Sequence, residues 1–297
     1  MILKYTGPMS IFASAGSERP VPILLPETRI DATRPHSGRP FSDVWEAREL
    51  IVLLARRDIR NRYRHSVVGV GWAILQPVLT VIVLSIFQAF MGQHFSGKIP
   101  YALSTMTCLV PWTFFIHALN QCSNCVLNSA EIITKVHFPR LVLPLAAVMA
   151  AFADFVIALP LIPVLMIFYG VFPRSTILWL PFFVLHLLLL AAAFGIWFSI
   201  LNTRFRDTAN ALPFLTQLWF FLSPIAYPAS SIPARWQFVA SLNPMLGLLE
   251  GFRWTLFGGN QPHLFLWVGE SLAITVLLLL TGIPMFFASE AELVELL

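Results

Sequence analysis

RRDIRNRYR-HSVVGVGWAILQPVLTVIVLSIFQAFMGQHFSG, residues 56–97, sets five arginines against thirty-three consecutive residues without Lys, Arg, Asp or Glu. A helix needs about 20 apolar residues to cross roughly 30 Å of hydrocarbon, and a soluble core helix is shorter, so residues 65–97 place the chain in a bilayer. The arginines mark the cytoplasmic side of that first crossing.

Composition agrees. Of 297 residues 57% are hydrophobic and only 11% charged, too few charges to cover a soluble globule of this size. The net charge of +4 gathers at the ends of apolar runs rather than along one face, which argues against nucleic acid as a partner. The apolar stretch at 9–15 is too short for a signal segment and polar sequence follows it, so the first apolar span is expected to be retained.

All three cysteines, Cys108, Cys122 and Cys125, fall inside a second uncharged run at 99–130, where a disulfide framework has no place. Cys122 and Cys125 form a C-x-x-C without a second pair or a His-x-x-His. Helix packing by small residues is the favoured reading over redox or metal chemistry.

Three regions follow. Residues 1–40, rich in Pro, Arg, Ser and Thr without periodicity, read as a flexible arm. Residues 41–64 read as an amphipathic helix on the cytoplasmic membrane surface, with Asp43 and Glu46 at capping-box spacing and Val44, Ala47, Ile51 and Leu54 on one face. A soluble helix packed on a partner is the alternative there. Residues 65–297 hold six expected spans, at about 70–91, 102–126, 141–169, 177–201, 209–227 and 263–287. With both termini cytoplasmic, Arg56, Arg57, Arg60, Arg62, Arg64, Lys135, Arg140, Arg204 and Arg206 lie inside, and only Lys98, Arg174, Arg235 and Arg253 lie outside. That asymmetry obeys the positive-inside bias.

The segment 228–262 is apolar yet repeatedly broken by proline, too interrupted to cross twice. Backbone groups at membrane depth must be satisfied, so short re-entrant helices that cap the outer end of a path are expected.

Several strings together resemble one family. Arg57-Asp58-Ile59-Arg60-Asn61-Arg62-Tyr63-Arg64 precedes Gly69-Val70-Gly71-Trp72-Ala73-Ile74-Leu75-Gln76-Pro77. Leu109-Val110-Pro111-Trp112-Thr113-Phe114-Phe115, Thr134-Lys135-Val136-His137-Phe138-Pro139-Arg140 and Asn202-Thr203-Arg204-Phe205-Arg206-Asp207 follow. Near the outer end come Leu222-Ser223-Pro224-Ile225-Ala226-Tyr227-Pro228, Leu242-Asn243-Pro244-Met245 and Glu250-Gly251-Phe252-Arg253-Trp254. Their order and spacing, over about residues 41–287, resemble the type-two ABC exporter permeases, in particular the branch exporting O antigen, capsule and teichoic acid. Two features depart from the pattern. Phe287-Ala288-Ser289-Glu290-Ala291-Glu292 stands where the family carries a basic segment, and nothing before Phe41 matches.

The resemblance implies a transmembrane permease working as a homodimer with two copies of an ABC ATPase. It would move a lipid-linked polysaccharide outward across a bacterial inner membrane. No G-x-x-x-x-G-K-[ST] loop is present, so ATP and Mg are expected on the partner, with no cofactor, metal or catalytic residue in this chain. Glu131, Thr134, Lys135, Val136, His137, Phe138, Pro139 and Arg140 form the expected ATPase-coupling loop. Its plain alternative is a basic turn that obeys the topology rule.

Arg57, Asp58, Arg60, Arg62, Tyr63 and Arg64 form a cytoplasmic entrance at headgroup level, read either as topology determinants or as a site for phosphates of substrate or membrane lipids. Gln76, Thr80, Phe87, Trp112, Thr216, Trp219, Phe220, Ser223 and Tyr227 are the expected path lining, where aromatic planes between polar groups suit a glycan. An interfacial aromatic belt is the alternative. Asn243, Pro244, Glu250, Arg253 and Trp254 form the expected outer gate, with Glu250 and Arg253 three residues apart and able to pair. Asp154 stands well inside the third span, where an ionisable group is costly, and is read as an interhelical hydrogen-bonding residue with His117 and His186 isolated.

The expected fold is an all-α integral membrane protein: six spans, an N-terminal amphipathic interfacial helix, and re-entrant short helices between spans 5 and 6. Other functions in view are an exporter of a drug or small lipid, and a membrane-embedded glycosyl- or acyltransferase. The latter would want a D-x-D or H-x-x-x-x-D motif, which is absent.

Overall fold

A computed structural model describes residues 44–64, 66–90, 99–135, 138–205, 207–259 and 262–295, with side chains excepted at 134–135 and 291–295. The N-terminal arm and the Asp43 cap lie outside the described residues. Among the described residues all regular structure is helical. After α1 (Arg48–Tyr63) come α2 (Trp72–Phe90), α3 (Tyr101–Cys125), α4 (Ala130–Lys135), α5 (Val142–Ala158), α6 (Leu161–Tyr169) and α7 (Leu180–Arg204). The chain continues through α8 (Asp207–Leu222), α9 (Ala234–Ser241), α10 (Pro244–Phe257) and α11 (Leu264–Glu295).

Five stretches are long and apolar enough to cross a membrane: Gly69–Phe90, Tyr101–Cys125, Val142–Tyr169, Ser175–Arg204 and Leu264–Glu290. They coincide with the expected spans 1 to 4 and 6. The third comprises α5 and α6 with a break at Leu159 and Pro160, where proline removes a backbone donor. The segment expected as span 5 forms α8, a helix of 16 residues, about 24 Å long, which stops after Leu222 rather than at 227. Pro224 disfavours helical backbone at Ser223, and the Asn243 amide takes the freed ends by donating to Leu222 O at 3.4 Å and Ser223 Oγ at 3.0 Å.

The axis of the bundle is α3. Its span is 72% buried, against 11% for the first, and it packs on α5 and α7. Close approach decides the α3–α7 contact, because a Cβ at Gly195 would lie 2.7 Å from Cys122 Sγ. Cys122 also touches Pro144 O at 3.3 Å and Cys125 touches Ser199 Oγ at 3.8 Å, so the C-x-x-C serves helix packing. Against α11 sits α10, where a Cβ at Gly247 would collide with the Trp267 carbonyl 2.2 Å away. The short helices α9 and α10 fill the segment expected to be re-entrant. Asn243 caps α10 by accepting from Met245 N at 3.0 Å, ahead of Pro244.

Candidate functional site

The predicted apolar face of α1 is buried against the bundle. Leu54 is buried and Val44, Ala47 and Ile51 are half-buried, with α5 as the neighbouring helix. At the far end of α1, Arg62 forms an ion pair with Asp154 of α5, and the Tyr63 hydroxyl donates to the same carboxylate at 2.6 Å. Burial, then the hydrogen bond to Asp154, push the Tyr63 phenol up to about 12, so it remains a donor at physiological pH.

Asp154, Gln76 and Ala73 of α2, and His117 of α3 line one narrow gap. Ala73 and Gln76 stand four and seven residues into the span that starts at Gly69, about 6–10 Å along its axis. Asp154 stands twelve residues beyond Val142, where its own span begins, it is paired, and His117 is its neighbour rather than isolated. His186 is partnered too, by Thr275 at 3.3 Å and Ser271 at 3.2 Å.

The arginine string thus divides. Arg62 and Tyr63 turn inward, Arg57 pairs with Asp58 at 2.9 Å, and Arg56, Arg60 and Arg64 are exposed. Beside them a cavity of about 550 Å³ is lined by Asn61, Gln121, Asn128 and Ser129 among others, where α1 meets the C-terminal end of α3 and the residues after it.

On the same side α4 holds Glu131, Thr134 and Lys135. Val136 and His137 lie outside the described residues. Phe138 packs against the core, Pro139 accepts from Val142 N at 3.1 Å, and Arg140 is held by Glu290 of α11. The acidic tail that departs from the family pattern contacts the start of span 3 through this residue.

The stripe on α8 faces the protein's own interior. Trp112 meets Trp219 and Phe220 edge-on, with ring centroids 6.2 and 5.9 Å apart, and the Trp219 indole donates to Asn243 Oδ1 at 2.8 Å. Thr216 and Ser223 are buried, and Tyr227 donates to Phe221 O at 3.1 Å. The exposed face of α8 is Phe214, Leu215, Leu218, Phe221 and Leu222. Periodicity put Thr216, Trp219, Phe220, Ser223 and Tyr227 on one face; α3 and the Asn243 turn occupy that face. On α2, Gln76 and Phe87 are exposed and Thr80 bonds Gln76 O at 2.9 Å.

Glu250 and Arg253 pair as expected, at 2.7 Å, but deep in the protein rather than at a surface. Arg253 also donates to Ile225 O at 2.8 Å and Tyr227 O at 3.1 Å, and Glu250 accepts from Ala229 N at 2.8 Å. The pair pins the turn after α8 to α10. Trp254 is half-buried against Phe265, at 6.0 Å between centroids. Among the described residues no cluster of His, Cys, Asp or Glu could hold a metal ion.

The profile of ABC-2 type transporters matches residues 49–257, from α1 to the end of α10. The chain belongs to the ABC-2 type transporter family. Among its relatives is the O-antigen export system permease protein RfbA of Myxococcus xanthus, 29% identical over 261 residues, covering 85% of this chain and 97% of that protein. RfbA of Klebsiella pneumoniae is 28% identical, with 84% of this chain and 95% of that protein covered. The polysialic acid transport protein KpsM of Escherichia coli is 23% identical, with 77% and 87% covered.

As an ABC-2 type transporter chain this is a multi-pass inner-membrane transport subunit working with an ABC ATPase, and not an enzyme. Sequence reasoning missed two of its polar contacts. Asp154 within an apolar run signals a cationic partner, and Arg62 was available, but periodicity cannot say which helix returns to meet it. The Arg140–Glu290 contact joins residues 150 apart, and only their opposite charges hinted at it.

Proposed function

We propose that this chain is the permease subunit of an ABC exporter that carries a lipid-linked polysaccharide from the cytoplasmic side outward across a bacterial inner membrane. The reading is supported above all by relatives named as O-antigen export permeases, whose similarity spans 84–85% of this chain and 95–97% of their own length. Two copies of the chain pair with two ATPase copies, which supply the ATP and Mg sites. With α8 and the turn after it counted as a crossing, six spans leave both termini cytoplasmic.

Each group of residues has a role in this reading. The loop from Glu131 to Arg140, with Lys135 among its cations, docks on the ATPase. Arg56, Arg60 and Arg64, exposed at headgroup level, meet phosphates of arriving lipid-linked substrate or of the leaflet itself, since arginine pairs bidentately with phosphate. Gln76 and Phe87 on the open face of α2, with the open face of α8, border the path between two copies. Trp112, Trp219 and Phe220 form the wall behind it. The turn pinned by Glu250 and Arg253 closes the outer end.

Deletion of the gene in its host tests the reading. Surface polysaccharide should disappear while lipid-linked polymer accumulates inside, and the wild-type gene should restore export. Normal surface polymer in the deletion strain would overturn it.

A further inference from the structure

Arg140 closes the cytoplasmic loop and opens the span-3 helix, and two of its hydrogen bonds go to one residue of the last span. Its backbone N–H donates to Glu290 Oε1 at 3.1 Å and its guanidinium Nη1 donates to the Glu290 carbonyl. The N–H stands at the mouth of α5, just ahead of the Leu141 cap. A carboxylate at that end satisfies a free donor and lies favourably along the helix dipole. Glu290 is itself anchored. The preceding Ser289 is buried and bonds Phe286 O at 2.9 Å, and Phe286 is fully buried.

Span 6 thus holds the end of a loop in which Ile133 and Phe138 are seated against the core. A lysine or arginine at 290, of the sort expected at the end of the family's last span, would set a cation against both Arg140 and the amino end of α5.

We propose that Glu290 is a positioning residue for the segment 138–140 that ends this loop, fixing the height and orientation at which the loop meets the ATPase. This rests on the docking reading of the loop. Glu290 makes the start of span 3 and the end of span 6 move as one unit when the ATPase pushes.

The test uses Glu290→Ala and Glu290→Asp in the full chain, with equal membrane levels as the control. In inside-out vesicles without ATPase, trypsin cleavage after Lys135 or Arg140 should quicken about tenfold in Glu290→Ala, the effect of losing a charge-assisted hydrogen bond, and return towards wild type in Glu290→Asp. In the assembled complex, ATPase co-purification and polymer exported per ATP hydrolysed should fall together in Glu290→Ala. Glu290→Asp should restore them, which a loss of general stability would not produce. Unchanged cleavage overturns the proposal. So does faster cleavage with undiminished ATPase recovery. If Lys135→Glu still releases the ATPase in that case, only the role of Glu290 fails; if it does not, the docking reading fails with it.

Discussion

Arg62 at the end of α1 and Asp154 on α5 form an ion pair that ties the helix ahead of the first span to the third span. The carboxylate is 7% exposed and the guanidinium 29% exposed. The two halves are therefore unequal, because an orphaned Arg62 can swing to water and an orphaned Asp154 cannot.

Arg62→Ala should destabilise the protein more than Asp154→Asn. Removing one partner of a fully buried pair costs about 3–5 kcal/mol, an upper bound here because Arg62 is partly wet. Asp154→Asn keeps a polar acceptor for Tyr63. Aggregation temperature in detergent measures the order, and Arg62→Leu combined with Asp154→Leu should be milder than Arg62→Ala alone. Equal loss in both single variants would mean the pair is not the joint.

Tyr63 gives the same joint a pH signature. Its folded pKa, about 12, lies above the ordinary 10, so its contribution is fully present below pH 10 and is lost as pH rises through 12. A stability profile of wild type against Tyr63→Phe should run parallel below pH 10 and converge between 10 and 12. Parallel curves throughout would remove Tyr63 from the joint.

Lys135→Glu should weaken ATPase co-purification from detergent while leaving the membrane level unchanged, since reversed charge meets the same partner surface. Arg140→Glu should do more, because it also places a carboxylate against Glu290. Full ATPase recovery in both variants would return the loop to a plain basic turn.

Arg253→Ala should be among the most damaging single changes. It leaves the Glu250 carboxylate, 1% exposed, without its cation and frees the Ile225 and Tyr227 carbonyls. Cysteines at Leu246 and Leu249 should resist impermeant thiol reagents at rest, since both positions are buried. Protection that persists with ATP trapped on the complex identifies a static plug; labelling that appears identifies a gate.

The two faces of α8 should separate folding from transport. Phe220→Leu removes an aromatic partner of Trp112 and should lower thermal stability by about 1 kcal/mol or more. Phe214→Ala and Phe221→Ala, on the exposed face, should leave stability nearly unchanged and reduce export. Surface polysaccharide, membrane level and ATPase activity are measured together, and normal export in the exposed-face variants would move the path elsewhere.

Local signals carried most of this fold. Apolar runs located spans 1 to 4 and 6 within a few residues, proline spacing exposed the broken outer segment, and i, i+3 spacing paired Glu250 with Arg253. What stayed hidden was direction. The stripe of Thr216, Trp219, Phe220 and Ser223 is visible as a face, but both a path and a neighbouring helix select aromatic and polar side chains, and only the ring contacts with Trp112 show that this face meets α3.

The uneven burial of the spans also bears on how the chain is made. The second span has the lowest mean hydropathy of the five, 1.4 against 2.1–2.4, and is the most enclosed. Its Thr105, Thr107, Cys108 and Ser123 fit a protein interior better than hydrocarbon. During synthesis that segment leaves the ribosome before spans 3 and 4 exist to surround it. It is therefore the stretch for which waiting beside the insertion machinery is most favourable, and the Gly195–Cys122 contact can close only once the fourth span arrives.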